Sequence, residues 1–257
     1  VVGMPLAAWV SERLGWRVAM GMVAVGSFIA AVWLLRVLPS GIRTPALPWR
    51  AWKRVLKSPL MMAVVLVTAC QSAGQYTVLA YAAPYFKNGY GATPEQTSLM
   101  FAWFGALALT GNLLLYRYID RIGAARAVTV SLALLLVSML AWPLALTLPL
   151  LAAVIFPWAI SGFATNSGQQ ARLGALSPRL APALMALNTS GIYLGHAVGA
   201  TGGGWVLAHG SYPQLTQLGM VWMVAALGLS AWAMHKLKPR DAKRRGLTRT
   251  VVPRSKP

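Results

Sequence analysis

Acidic residues are nearly absent from this chain. Of 257 residues only four are Asp or Glu, against 23 Lys or Arg, and all charged residues together make up 11%. Soluble domains carry about 25% charged residues, so the polar shell of a water-soluble fold cannot be assembled from this composition. Cysteine occurs once, at Cys70 inside an apolar run, which excludes an intrachain disulfide and reads as packing. The three histidines, His196, His209 and His235, do not sit at metal-ligand spacings, and no acid accompanies them. Paired carboxylates and a Gly-x-Ser-x-Gly nucleophile turn are both missing. Gly202-Gly203-Gly204 lacks the following Lys-Ser/Thr and the preceding strand of a phosphate cradle. No enzyme, metal or cofactor is therefore expected.

What is abundant is apolar sequence: 57% of residues are hydrophobic, with mean hydropathy +0.59. After Arg126 the next charged residue is Arg172, and after Arg179 it is Lys236. A helix rises about 1.5 Å per residue and crosses the hydrocarbon in about 20 residues, so each uncharged stretch fits two crossings and a turn. The pattern predicts an all-α, polytopic transmembrane bundle of seven spans. They cover 18–38, 59–85, 98–116, 128–146, 150–170, 183–207 and 215–235. Pro143 and Pro149 bracket one turn, and His209 to Pro213 forms another. Val1 to Val10 has neither a basic flank nor a cleavage site. It reads as the end of a helix, so the chain is expected to be a fragment or an internally started reading frame.

Strict alternation of these spans places twenty Lys and Arg on one side, leaving Arg13, Arg17 and Lys87 on the other. By the positive-inside rule the rich side is cytoplasmic. It holds the Pro39–Lys57 loop, the Arg117–Arg126 and Arg172–Arg179 connections, and the C-terminal tail. The net charge of +19 thus flanks spans and does not argue for nucleic acid. The tail from Lys236 reads as an irregular topological anchor or as a binder of anionic lipid head groups. Trp49 and Trp52, with basic neighbours, suit a stretch lying at the membrane interface.

Glu12, Glu95, Asp120 and Asp241 all fall in expected loops or tail, so no acid is expected at membrane depth, where coupled pumps usually keep their proton carrier. Three spans carry polar stripes at helical spacing: Thr68, Gln71 and Gln75; Ser161, Thr165 and Gln169, widened by Asn166 and Gln170; and Thr189, Tyr193 and His196. Two roles fit each stripe, interhelical glue or the lining of a shared polar cavity. Gly191, Gly195, Gly199 and Gly203 recur every fourth residue, a spacing that lets another helix backbone approach closely.

The stretch Tyr118 to Arg126, with Asp120, Arg121, Gly123 and Arg126, resembles the cytoplasmic Asp-Arg-x-Gly-x-x-Arg signature of the major facilitator superfamily. Tyr116 stands where that signature usually has glycine. Tyr81-Ala82-Ala83-Pro84-Tyr85, Gly111-Asn112, Gln170-Ala171-Arg172-Leu173 with Ser177-Pro178, and Ala186 to Ser190 are similar to stretches of its arabinose-efflux-permease-like members. So are the glycines from Gly195 to Gly203 and the short turn Gly15-Trp16-Arg17.

The resemblance implies that residues 1–38 hold the end of one helix and the last helix of an N-terminal half. Residues 39–57 would be the cytoplasmic central loop, 58–235 the C-terminal six-helix half, and 236–257 a basic cytoplasmic tail. It further implies a drug- or sugar:proton antiporter of the inner membrane that exports small organic solutes by alternating access. Its partners would be protons, a small-molecule substrate, membrane lipids and a missing N-terminal half that carries the coupling acid. Gln71, Gln75, Asn166, Gln170, Tyr193 and His196 are expected to line the cavity. Asp120, Arg121, Gly123 and Arg126 would gate it. The alternative is a truncated, non-transporting membrane fragment or scaffold.

Overall fold

The computed structural model describes residues 3–39 and 47–250. Arg43, in the expected central loop, and Arg254 and Lys256, in the tail, lie outside the described residues. Eleven helices account for the described architecture: α1 (Gly3–Leu14), α2 (Trp16–Val37), α3 (Trp49–Leu56), α4 (Pro59–Leu79), α5 (Ala82–Tyr90), α6 (Pro94–Ile122), α7 (Ala124–Ala141), α8 (Leu148–Val154), α9 (Phe156–Leu176), α10 (Ala181–His209) and α11 (Tyr212–Thr250). There are no strands among the described residues.

Among the described residues six spans are long and apolar enough to cross a membrane: Trp16–Val37, Pro59–Leu79, Pro94–Ile122, Ala124–Leu144, Leu148–Leu176 and Tyr212–Leu237. α10 has the length, at 29 residues, but its glycines and polar side chains keep it out of that set. It belongs in the bundle because of what it packs against.

Helix starts follow local chemistry. Ser58 caps α4 by accepting from the Met61 amide at 3.4 Å, with Pro59 in the first turn. Thr93 and Gln96 form a reciprocal capping box ahead of α6. Thr147 caps α8.

Several boundaries differ from the sequence reading. The span expected to run to Tyr85 breaks after Leu79, and α5 follows as a separate short helix ended by left-handed Gly91. α6 extends to Ile122, so Asp120 and Arg121 occupy its last turn instead of a loop. The whole connection to α7 is Gly123, whose φ of +84° suits glycine. Glu95 likewise lies in the first turn of α6 and not in a loop. The span expected at 150–170 is α8 and α9, meeting at Ile155 and continuing to Leu176. α11 does not stop at His235; it stays helical to Thr250, where an irregular tail was expected.

α4 is the central helix, packed by α10, α11 and α9, while α7 and α6 pack on α9 from behind. Two apolar clusters hold the ends. One gathers Tyr85, Trp142, Trp158, Phe104 and Met223. The other gathers Val55, Val64, Leu173, Leu184 and Ala233 at the end where exposed Arg179 follows α9, called the basic end below. α1 lies against α6 and α2, and α2 itself has no buried residue.

Candidate functional site

The polar stripe of α4 turns inward. Thr68 and Gln71 are fully buried and Gln75 is 8% exposed. Gln71 Nε2 donates to the Gly162 carbonyl at 3.4 Å, and Trp158 Nε1 donates to Gln75 Oε1 at 2.9 Å. A Cβ on Gly162 would press on Gln75 Oε1, so a side chain there would have to displace that amide. α4 and α9 are thus joined along a seam of amides, with Ser161, Thr165 and Gln169 buried on the α9 side. Ser161 and Thr165 donate back to carbonyls of their own helix. Gln169 reaches across: its Nε2 donates to the Val64 carbonyl at 2.9 Å and to Thr68 Oγ1 at 3.0 Å.

The seam continues into a longer chain of hydrogen bonds. Thr68 Oγ1 donates to Asn188 Oδ1 on α10 at 2.7 Å. Arg172 Nη1 donates to Gln169 Oε1 at 3.5 Å and to Ser230 Oγ on α11 at 3.0 Å, while Nη2 donates to the Ser230 carbonyl at 3.4 Å. Ser230 Oγ in turn lies 3.1 Å from Thr129 Oγ1 on α7. Five helices are tied through six side chains near the basic end.

Arg172 had been expected as a loop cation. It is instead 4% exposed within α9, because that helix continues past Gln170. Among the described residues its hydrogen-bond partners are an amide, a hydroxyl and a carbonyl, with no carboxylate.

On α10 the packed face and the expected polar face diverge. Gly191, Gly195, Gly199 and Gly203 are all buried against α4. A Cβ on Gly203 would come within 2.7 Å of the Thr77 carbonyl oxygen. At Gly195 and Gly199 it would run into the carbonyls of Ala69 and Ala73. Tyr81 closes the same interface by donating to the Ala200 carbonyl at 2.7 Å. Thr189 and Tyr193 are exposed. His196 is half-buried, stacked on Tyr76 of α4 at a ring separation of 3.5 Å, with Tyr193 edge-on at 5.9 Å.

The expected cavity residues therefore fall into three groups. Gln71 and Gln75 lie in the α4–α9 seam. His196 and Tyr193 lie at the α4–α10 edge. Asn166 is half-buried and Gln170 exposed, on the outward face of α9 beside Ser167, which donates to Asn112 Oδ1 at 2.8 Å. Two amide oxygens, Gln71 Oε1 and Asn166 Oδ1, are buried without a protein partner. Asp120, Arg121 and Arg126 are exposed at the α6–α7 corner around Gly123.

Asn188, Trp158, Ser230 and Thr129 were not picked as polar-site residues from sequence. Asn188 had a readable signal, since it stands three residues before Gly191 and shares the packed face of α10. Arg172 had one too, three residues beyond Gln169 on the same stripe. Ser230 and Thr129 are isolated hydroxyls in apolar helices, and only the fold brings them together.

Residues 64–256 match the family model for the Major Facilitator Superfamily. That match takes in most of α4 and all of α5 to α11, among them the α4, α7, α9, α10 and α11 helices that build the amide seam, its hydrogen-bond chain and the glycine-lined interface. On this match and on its long apolar helices, the chain belongs to the Major Facilitator Superfamily, a family of secondary transporters, and is a multi-pass membrane protein.

Proposed function

We propose that the chain is the C-terminal part of a proton-coupled exporter of small organic solutes, sugars or drug-like compounds, working by alternating access. The observation that carries this reading is the pair of buried, unpartnered amide oxygens, Gln71 Oε1 and Asn166 Oδ1. An unsatisfied acceptor is costly in an apolar surround, so these atoms are suited to take a hydroxyl, an amine or water from a bound solute. Gln75, Gln170, Tyr193 and His196 extend that polar lining over α4, α9 and α10. The second wall of the cavity would come from a six-helix N-terminal half, as in the arabinose-efflux-permease-like members the sequence resembles.

In this reading the coupling proton is carried by that other half. Among the described residues the acids of the spans lie only in the end turns of α6, and in this reading the polar faces here bind solute. Asp120, Arg121, Gly123 and Arg126 form the gate at the α6–α7 corner, where a single-residue hinge lets the two helix ends shift. The membrane is the inner membrane, and the basic end with the C-terminus faces the cytoplasm.

The test is transport by the complete gene product in proteoliposomes, over a panel of sugars and drug-like solutes, with an imposed proton gradient. Efflux should follow the gradient, and Asn166→Leu should raise KM for the transported solute. Unchanged transport after the gradient is collapsed removes the antiport mechanism. Full activity of His196→Ala demotes His196 to packing against Tyr76.

A further inference from the structure

We propose that α3 is a docking surface for anionic phospholipid head groups. The inference rests on the chain being a membrane protein and is independent of what it transports.

α3 is held on the bundle by one narrow face. Ala51 and Val55 are buried, Val55 completely, in the cluster that contains Leu60, Val64, Leu173 and Leu184. Trp52 packs beside them. A helix advances about 100° per residue, so the remaining arc presents, in order around the axis, Leu56, Trp49, Lys53, Lys57, Arg50 and Arg54. All six are exposed. One edge of the arc is apolar, with Trp49 66% and Leu56 48% exposed. The other edge carries four cations. Lys53 Nζ lies 6.0 Å from the Trp49 ring centre, which holds the two edges together.

From Arg13 to Pro94 there is no Asp or Glu, and the helices packed on α3, α4 and α10, contain no acid at all. A short helix fixed at the basic end of a spanning bundle, with a tryptophan edge and an adjoining cationic edge, matches the two layers of a lipid interface. The indole sits at head-group level, and the cations meet phosphate. An acidic protein or a nucleic acid would satisfy the cations but leave Trp49 and Leu56 without a partner. A lipid supplies both. The attraction of a cation to an anionic leaflet corresponds to about fivefold per Lys or Arg, and it is screened by salt.

The test uses the full chain in proteoliposomes of phosphatidylglycerol and phosphatidylcholine. A fluorophore is attached at Leu56→Cys in a Cys70→Ala background. Quenching by nitroxide-labelled phosphatidylglycerol is compared with quenching by nitroxide-labelled phosphatidylcholine. The expected result is a severalfold preference for the anionic lipid that declines with salt. Arg50→Gln, Lys53→Gln, Arg54→Gln and Lys57→Gln combined should bring the ratio close to one. Arg50→Lys with Arg54→Lys, which keeps the charge, should retain it. Because all four cations are exposed, folding is expected to survive; should the fourfold variant fail to fold, Lys53→Gln with Lys57→Gln must give an intermediate ratio. A ratio near one in the parent chain, or a ratio unmoved by the glutamines, overturns the proposal. So does protection of the label by an oligonucleotide in the absence of any lipid preference, which would assign the surface to nucleic acid.

Discussion

Alanine substitution along the glycine stripe of α10 should change sign between positions two turns apart. At Gly191 an added Cβ would sit 3.6 Å from Val65 Cγ1, 3.7 Å from the Val65 carbonyl oxygen and 3.8 Å from Ala69 Cβ. These are ordinary van der Waals distances, so Gly191→Ala adds contacts and helix propensity. It should stabilise the protein by about 0.5–1 kcal/mol. At Gly199 the Cβ would be driven against the Ala73 carbonyl oxygen and would lie 2.9 Å from its carbon and 3.0 Å from Ala73 Cα. The obstacle is backbone in the middle of α4 and cannot rotate away. Normal carbon contacts need about 3.5–4.0 Å, so α10 must back off by roughly 0.5–1 Å, a gap that forfeits a quarter to a half of each affected contact. Overpacking of this kind costs about 1–3 kcal/mol, more than the propensity gain.

The readout is thermal unfolding in detergent, followed by a thiol-reactive dye on Cys70. That residue is half-buried in α4 and is the sole cysteine. At about 2–4 °C per kcal/mol for a chain of this size, Gly199→Ala should melt a few degrees below the parent and Gly191→Ala at or slightly above it. If both alanines move the melting point in the same direction, the backbone-to-backbone account of the α4–α10 interface is wrong.

Other substitutions probe the polar chain and the corner. Gln169→Ala removes the bonds to Val64 and Thr68 and should cost about 1–3 kcal/mol; in a double-mutant cycle with Arg172→Ala the coupling should exceed about 0.5 kcal/mol. Trp158→Phe keeps the ring beside Phe104 but strips Gln75 Oε1 of its donor, and a melting-point loss equivalent to about 1–3 kcal/mol is expected. Gly123→Ala meets no neighbouring atom, so its whole cost is the backbone at φ +84°. About 1–3 kcal/mol of strain should appear in thermal unfolding.

Much of the framework was readable from residue order. The uncharged stretches on either side of Arg172 and Arg179 announce paired spans, and the four-residue glycine spacing on α10 announces one close-packed face. Arg172 was misplaced because a cation after a long apolar run reads as the end of a span, and nothing in the local sequence reports that Ser230 and Gln169 accept its hydrogen bonds. The amide stripe on α4 was visible as a stripe, but its partner was not. Whether Gln75 faces a cavity or the Trp158 indole depends on the register of two helices more than eighty residues apart.

Composition and the 3.6-residue period decided by themselves that lipid is the solvent and which residues share each helical face, because both are properties of a single segment. Tertiary structure alone decided which faces meet, that Arg172 is buried against Gln169 and Ser230, and that α3 turns Trp49 and its cations outward. Those outcomes rest on how separate segments stack, and stacking energies are shared between chains of contacts that no one segment contains.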